Sequence, residues 1–411
     1  MIAQIKITGF KSLADVDLTL GSFNLFIGAN TSGKSNFFDA LRVLQGIGYS
    51  FTIDEILNGK PKSAGSEVWE PIRGGSAMAY FIGITGNDAG TDAKPQIFGL
   101  EIALKLSSLS QKINYSVGID VQIGRVGREE LSLGNRTIFK GHKTFEPGWG
   151  SFLSAQYDGD GIDSKPHLRF ESSRSLLHQL LRHNVCNEND RKLIESCIHA
   201  LSNMQRIDPT SAISRDYSQT QIVKRLGERG ENFATLLKGI ASDEKLRSAY
   251  LSWLSELTPS EVEDITILQG ALGESLFAIK ERGNIYPAPI LSDGTLRFAA
   301  ITAAFFQAGM PDILTIEEIE NGIHPSRLRL LLELLKSQSS LNRQVIATTH
   351  SPVALAWLEE KDYATTFFCK RDEQTGASVI KPLNEVPRFL ELVHKQPLGD
   401  LFTEGWLEEA L

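Results

Sequence analysis

The sequence predicts an α/β fold built around a phosphate-binding loop: a mixed sheet with flanking helices, an antiparallel β subdomain and an inserted helical lobe. Three observations lead there. The stretch "LFIGANTSGKSNFFDAL" (25–41) reads as an apolar strand, a G-x-x-x-x-G-K-[ST] loop from Gly28 to Ser35, and a helix that opens directly after it, which is the context in which such a loop cradles phosphates. Two later apolar runs, "DILTIEEIE" and "RQVIATTH", are each followed by helical spacing, the pattern of strands joined by helices. In between, strand-like alternation gives way to helical periodicity at about residue 170.

Taken in order, "QIKITGF", "ADVDLTL" and "FNLFIG" read as strands joined by turns. The helix after the loop breaks at the glycines of "GIGYS", and residues 50–75, which carry Gly, Lys and Pro, read as irregular. From "AMAYFIGITG" to about 170, segments such as "FGLEIALKL", "INYSVGIDVQI" and "RTIFKG" alternate and carry β-branched and aromatic residues, so an antiparallel sheet is expected. From "SLLHQLLRHN" to about 255 apolar residues recur at i, i+3 or i+4 in short runs. No heptad repeat is sustained, which argues against a coiled-coil arm. "PSEVEDITILQG" and "SLFAIKE" return to strand, a helix follows "LSDGT", and the chain beyond 361 holds one or two strands and a terminal helix. The expected organisation is a lobe over 1–170 with the loop and antiparallel sheet, a helical insertion over 171–260 and a second lobe over 261–411.

A chain of 411 residues exceeds one ordinary core. Its 41% hydrophobic and 22% charged content is that of a globular protein. A formal net charge of −8 argues against a surface coated by nucleic acid, although not against a local basic patch. Cys186, Cys197 and Cys369 show no metal-ligand spacing, as expected of reduced thiols in a cytoplasmic protein. The first residues alternate like a strand rather than a signal peptide, and no run approaches a membrane span.

The chemistry follows from residue type. Glycines let the loop turn its N–H groups toward phosphate, the helix start adds positive potential, Lys34 supplies a mobile cation and Ser35 a hydroxyl for Mg²⁺. Glu317 and Glu318 end an apolar strand, where α/β sheets place ligands. Glu317 suits the Mg²⁺ shell and Glu318 suits a base for the attacking water; the same pair also suits an acidic helix start. His350, after Thr348 and Thr349, suits a γ-phosphate or water contact, or a satisfied loop histidine. Ser292 suits an N-cap that also faces an anion.

Together, the loop, "LSDGT", the strand with "EE" and "TTHS" resemble an ABC-type ATPase head of the RecF, SMC and OLD branch, and within it the compact AAA-type ATPases of bacteria. "IKITGFKS", "RLGERGENFATLL" and "LGDLFTEGWLE" carry the resemblance across nearly the whole chain. It implies a P-loop NTPase of ABC-ATPase type that hydrolyses ATP with Mg²⁺. Gly28, Asn30, Ser32, Gly33, Lys34, Ser35 and Asn36 would surround the phosphates, with Ser35 and Glu317 holding Mg²⁺, Glu318 as base and His350 as switch histidine. Ser292 and Gly294 resemble the signature that reaches the γ-phosphate of an opposite protomer, and Lys11 and Arg297 resemble auxiliary nucleotide contacts. Thr31 stands where relatives carry a small residue and Ile319 where they carry Pro. No Q-loop glutamine is identifiable, and Arg73 in "PIRGGS" is the candidate sensor at that junction. The resemblance further implies a homodimer or higher homo-oligomer closing on ATP and a separately encoded effector, a nuclease, in anti-phage defence. A RecF-like DNA-binding repair ATPase and an ATP-bound scaffold are the alternatives; the chain carries no nuclease cluster of its own.

Overall fold

A computed structural model of the chain describes residues 1–60, 69–83, 96–146, 150–158, 168–183, 185–218, 223–257, 262–339 and 343–410. The N-terminal segment forms β1 (Ile2–Phe10), β2 (Leu13–Thr19) and β3 (Phe23–Ile27), followed by α1 (Lys34–Gly48) and α2 (Ile53–Asn58). Next come β4 (Ile97–Leu104), β5 (Ile113–Asp120), β6 (Arg125–Leu133), β7 (Arg136–Glu146), β8 (Gly150–Tyr157) and β9 (Leu168–Glu171). The middle of the chain holds α3 (Leu176–Arg182), α4 (Glu188–Ser202), β10 (Met204–Ile207), α5 (Ser211–Ser214), α6 (Phe233–Ala241) and α7 (Glu244–Leu257). Then follow β11 (Val262–Gln269), β12 (Ser275–Glu281), β13 (Asn284–Pro287), α8 (Asp293–Ala304), β14 (Ile313–Ile316), α9 (Pro325–Ser339), β15 (Gln344–Thr349) and α10 (Pro352–Leu355). The chain closes with β16 (Thr366–Arg371), β17 (Ser378–Pro382), α11 (Phe389–Val393), α12 (Leu398–Thr403) and α13 (Trp406–Ala410).

Three sheets result. Strands β2-β1-β4-β5-β6-β7-β8-β9 make an antiparallel sheet, β10-β14-β15-β3-β16-β17 make the central sheet, and β11-β12-β13 make a small antiparallel one. The central sheet is parallel except for β17. Its strands are buried on both faces, and alternate residues sort onto opposite cores, as the two-residue period requires. Phe26, Ile346 and Phe367 pack with α1, α4 and the eight-stranded sheet. Leu25, Ile27, Val345 and Ala347 pack with α6, α8 and α9. Each fully buried Phe, Leu or Ile contributes about 1.5–3 kcal/mol, so the two cores clamp the central sheet from both sides.

The structure departs from the sequence reading in five places. "AMAYFIGITG" is not a strand where described: Ser76–Met78 is a 3-10 turn and residues 79–83 are irregular, tied to β1 by Phe81 N–H donating to Gly9 O at 2.8 Å; 84–86 lie outside the described residues. The segment read as irregular contains α2, which a capping box of Thr52 and Glu55 starts. The helical stretch contains β10, which pairs in parallel with β14. Its helices also divide, α3 and α4 joining one core and α6 and α7 the other. The end of the chain carries three short helices instead of one.

Candidate functional site

Strand β3 is buried throughout and delivers the chain into the loop from Gly28 to Gly33. Gly28 has φ 143° and Gly33 has φ 103°, where a side chain is disfavoured. Space forbids one as well, since a Cβ at Gly28 would lie 2.2 Å from Cys369 O and at Gly33 2.1 Å from Ser378 Oγ. Thr31 also lies in the left-handed region, with φ 69°. Lys34 opens α1, and its Nζ donates to Gly28 O and Ala29 O at 2.7 Å and to Ser32 Oγ at 3.3 Å. Burial pushes its amine below the usual lysine value, and the nearby Glu320, Glu318 and Glu317 oppose that shift. Asn30 is exposed on the loop. Asn36 donates to Ser12 Oγ at 2.7 Å, and Ser12 Oγ lies 2.6 Å from Ser378 Oγ.

The acidic pair follows β14, the neighbour of β15, which in turn pairs with β3. Ser35 Oγ donates to Glu317 Oε2 at 3.0 Å, so the last residue of the motif and the first acid of the pair meet. These are two hard oxygens with room in the shell for water and phosphate, a donor set that suits Mg²⁺. Among the described residues no group of three or more His, Cys, Asp or Glu could hold a metal by itself. Glu318 has φ 49°, and Thr348 Oγ1 accepts from its N–H at 2.9 Å. Ile319, at the position where the resemblance leads one to expect proline, donates its N–H to Thr348 O at 3.0 Å. His350 joins the two motifs: Nδ1 lies 3.1 Å from Gly28 O and Nε2 lies 3.2 Å from Glu318 Oε1. Glu320 Oε1 accepts from the His350 N–H at 2.6 Å. The loop, the acidic pair and the histidine thus form one constellation.

The remaining predicted residues fall elsewhere. Lys11 pairs with Asp39 of α1 and donates to Arg73 O at 2.7 Å. Arg297 is buried behind the acidic pair, where Nη2 donates to Glu317 O at 2.9 Å and Glu318 O at 3.2 Å, and Nη1 to Asp208 Oδ1 at 2.9 Å and Pro209 O at 2.6 Å. It holds the backbone of the two acids, in contrast to the nucleotide contact expected from the sequence. Ser292 is the exposed N-cap of α8 and accepts from Thr295 N–H at 3.1 Å. A Cβ at Gly294 would lie 2.3 Å from Gly322 O. Ser292 and Gly294 line a cleft of about 350 Å³ with Gly322, His324 and Arg327. No described hydrogen bond or ion pair joins them to residues 28–36.

Among the described residues, two arginines reach the Glu317 carboxylate. Arg73 lies 3.4 Å from Oε2, donates to Ser35 O and pairs with Asp39 at 3.1 Å, which places the candidate from "PIRGGS" against the site. Arg206 of β10 lies 2.9 Å from Glu317 Oε1. Sequence reasoning missed it, since nothing in a helix-like stretch marks a four-residue strand.

The family described as "AAA domain, putative AbiEii toxin, Type IV TA system" matches residues 23–356, from β3 past His350. The chain belongs to this AAA family. This ATPase is 25% identical over 397 residues to a Helicobacter pylori (strain ATCC 700392 / 26695) protein called "ATP/GTP phosphatase", a match spanning 91% of this chain and 94% of the relative. Its fold is similar to that of an SMC head crystallised with the C-terminal winged-helix domain of ScpA, with a TM-score of 0.52 and 14% identity over 93% of this chain and 98% of that one. An SMC head with an extended coiled coil from Pyrococcus furiosus, bound to the C-terminal domain of ScpA, aligns with a TM-score of 0.50 and 13% identity over 96% of this chain and 99% of that one. The chain is therefore an AAA-family ATPase whose fold is similar to that of SMC heads. Among the described residues no helix is long and apolar enough to cross a membrane.

Proposed function

We propose that this ATPase is a two-protomer switch. The loop from Gly28 to Asn36 would hold ATP, and Ser35 and Glu317 would hold Mg²⁺, which would supply positive charge to the phosphates. Glu318 takes the proton of the attacking water, and His350, bonded to Glu318, orients that carboxylate. Ser292 and Gly294 complete the site of a second copy, so ATP closes the pair and hydrolysis releases it. The observation that carries this reading is the separation of the two halves. Ser292 is an exposed cap at the start of α8, free to face a partner, whereas Lys34 and Glu317 are buried around the loop. Binding that recruits Ser292 only in the closed state favours that state by differential affinity.

The output of the switch is a separately encoded effector acting in anti-phage defence. Two facts support that assignment over a scaffold role: the family description names a toxin–antitoxin system, and the similar SMC head is crystallised with a domain of a separate protein. Mixing two inactive variants tests the shared site. Lys34→Ala lacks the loop cation and Ser292→Arg blocks the cap. Random pairing leaves one intact composite site in half the dimers, so the mixture recovers up to about a quarter of wild-type turnover. If each variant alone is dead and the mixture stays dead, the shared site is refuted.

A further inference from the structure

The two oxygens of the Glu317 carboxylate face different partners. Oε2 lies 3.0 Å from Ser35 Oγ and 3.4 Å from Arg73 Nη1, and Oε1 forms an ion pair with Arg206 Nη2 at 2.9 Å. Arg206 is itself held from its other side, with Nη1 3.4 Å from Glu228 Oε1. Glu228 Oε2 in turn accepts from Arg42 Nη1 at 3.0 Å. Arg42 belongs to α1, the helix that also carries Ser35. Its guanidinium is fixed by two bonds of 3.2 Å to Glu70 O and lies 4.3 Å over the Trp69 ring. The contacts therefore close a ring: Ser35, along α1 to Arg42, Glu228, Arg206, Glu317, and back to Ser35.

Such a ring does more than neutralise charge. A carboxylate can rotate about its last bond, and a free Glu317 would present either oxygen, or neither, to Ser35. With Oε1 ion-paired to the Arg206 guanidinium, Oε2 is the oxygen left facing the hydroxyl, and Arg73 meets it there. The guanidinium suits this position because its two terminal nitrogens can serve two carboxylates at once, which an ammonium does less well. Alternating charges along the ring keep every member paired, although Arg206 is only 22% exposed.

We infer that Arg206 is a positioning residue for the metal acid, oriented through Glu228 from the loop helix. The inference rests on reading Ser35 and Glu317 as the metal pair. Glu228 belongs to the "RLGERGEN" stretch and Arg206 to the edge strand β10, so through the ring both segments set how tightly the divalent cation is held when nucleotide is bound. Partners in the outer shell of a metal site are worth about 10–100-fold in metal affinity, and Arg206 belongs in that range.

The test is a Mn²⁺ titration, read by electron paramagnetic resonance, of the full chain saturated with a slowly hydrolysed ATP analogue. Metal-free nucleotide affinity and melting temperature serve as controls for folding. Arg206→Ala raises the Mn²⁺ dissociation constant about 10-fold or more, Arg206→Lys falls between it and wild type, and Glu228→Gln gives a smaller rise. Metal-free nucleotide affinity stays within about twofold of wild type throughout. Glu317→Gln raises the constant further than any of these. If Glu317→Gln weakens Mn²⁺ while Arg206→Ala and Glu228→Gln leave it at the wild-type value, the positioning role is overturned and the metal pair stands. If Glu317→Gln leaves Mn²⁺ affinity unchanged, the metal pair fails and the positioning role fails with it.

Discussion

Glu318 holds φ 49° and Thr31 holds φ 69°, conformations that cost a residue with a side chain about 1–3 kcal/mol each. Their supports differ. Glu318 is pinned by Thr348 through its own N–H and by the N–H of Ile319, so its strain aims the carboxylate at His350. Thr31 is exposed and, among the described residues, its hydroxyl bonds to the adjacent Asn30 carbonyl. Thr31→Gly should therefore keep turnover within about twofold of wild type and stabilise the fold by up to about 1 kcal/mol, as read by urea unfolding; a clear loss of stability would contradict this view of the loop. Arg297 behaves oppositely, because removing it leaves buried carbonyls of the acidic pair without donors. Arg297→Ala should cost about 2–4 kcal/mol of stability and lower turnover together, without acting on nucleotide affinity first. Equilibrium unfolding and nucleotide titration separate the two. That the loop, the acids and His350 meet was legible in the sequence because they stand in short contiguous motifs at the ends of neighbouring strands. That Arg297 lies behind the acids and bonds their carbonyls was not legible, because a motif gives an order along the chain and not a direction into space. Arg206 was invisible because its partners Glu317 and Glu228 are far away in sequence.

At the scale of elements, Glu129 of β6 shows how the antiparallel sheet is fastened to the helices. Buried at 1% exposure, it accepts from Ser175 Oγ at 2.5 Å, Leu176 N–H at 2.7 Å and Tyr115 Oη at 2.9 Å. Burial pushes its carboxyl up from the usual 4.5 to about 7, and the hydrogen bonds oppose the shift. A carboxyl with a raised folded-state pKa keeps its proton longer when folded. Its contribution is thus complete below about pH 4.5 and is lost as pH rises to about 7, with a slope near 1.4 kcal/mol per pH unit. Relative to Glu129→Gln, the wild type should lose stability between pH 5 and 7 and hold level above; parallel curves for the two proteins would refute this. Helix α2 offers a simpler test, since Thr52→Ala removes its cap and should cost about 1 kcal/mol. That helix was readable as Thr52-x-x-Glu55, yet six residues between glycines hid it. Strand β10 was not readable, because "MQRI" is too short to show a period and only its pairing with β14 makes it a strand.

For the whole molecule, the central sheet carries the site and the two cores hold it from opposite faces. The fold class was legible because apolar strands ending in "EE" and "TTHS" have few other uses in a chain with this loop. The fate of the middle helices was not, because helical periodicity tells which face is apolar and not which core it meets. With the loop, the acidic pair and His350 in one constellation and the Ser292 cap apart from it, the proposed complete site requires two copies. In the proposed mechanism, substitution of Glu318 by Gln keeps the residues around the loop and removes the proposed base, which should trap the closed pair. The mass of the purified protein in solution, with and without ATP and Mg²⁺, tests this most directly. Glu318→Gln is expected to shift from one mass to twice that mass, or a higher even multiple, only when both ATP and Mg²⁺ are present, and adding Ser292→Arg is expected to abolish the shift. A mass that nucleotide does not change, in a variant shown to bind ATP, would contradict the two-protomer switch.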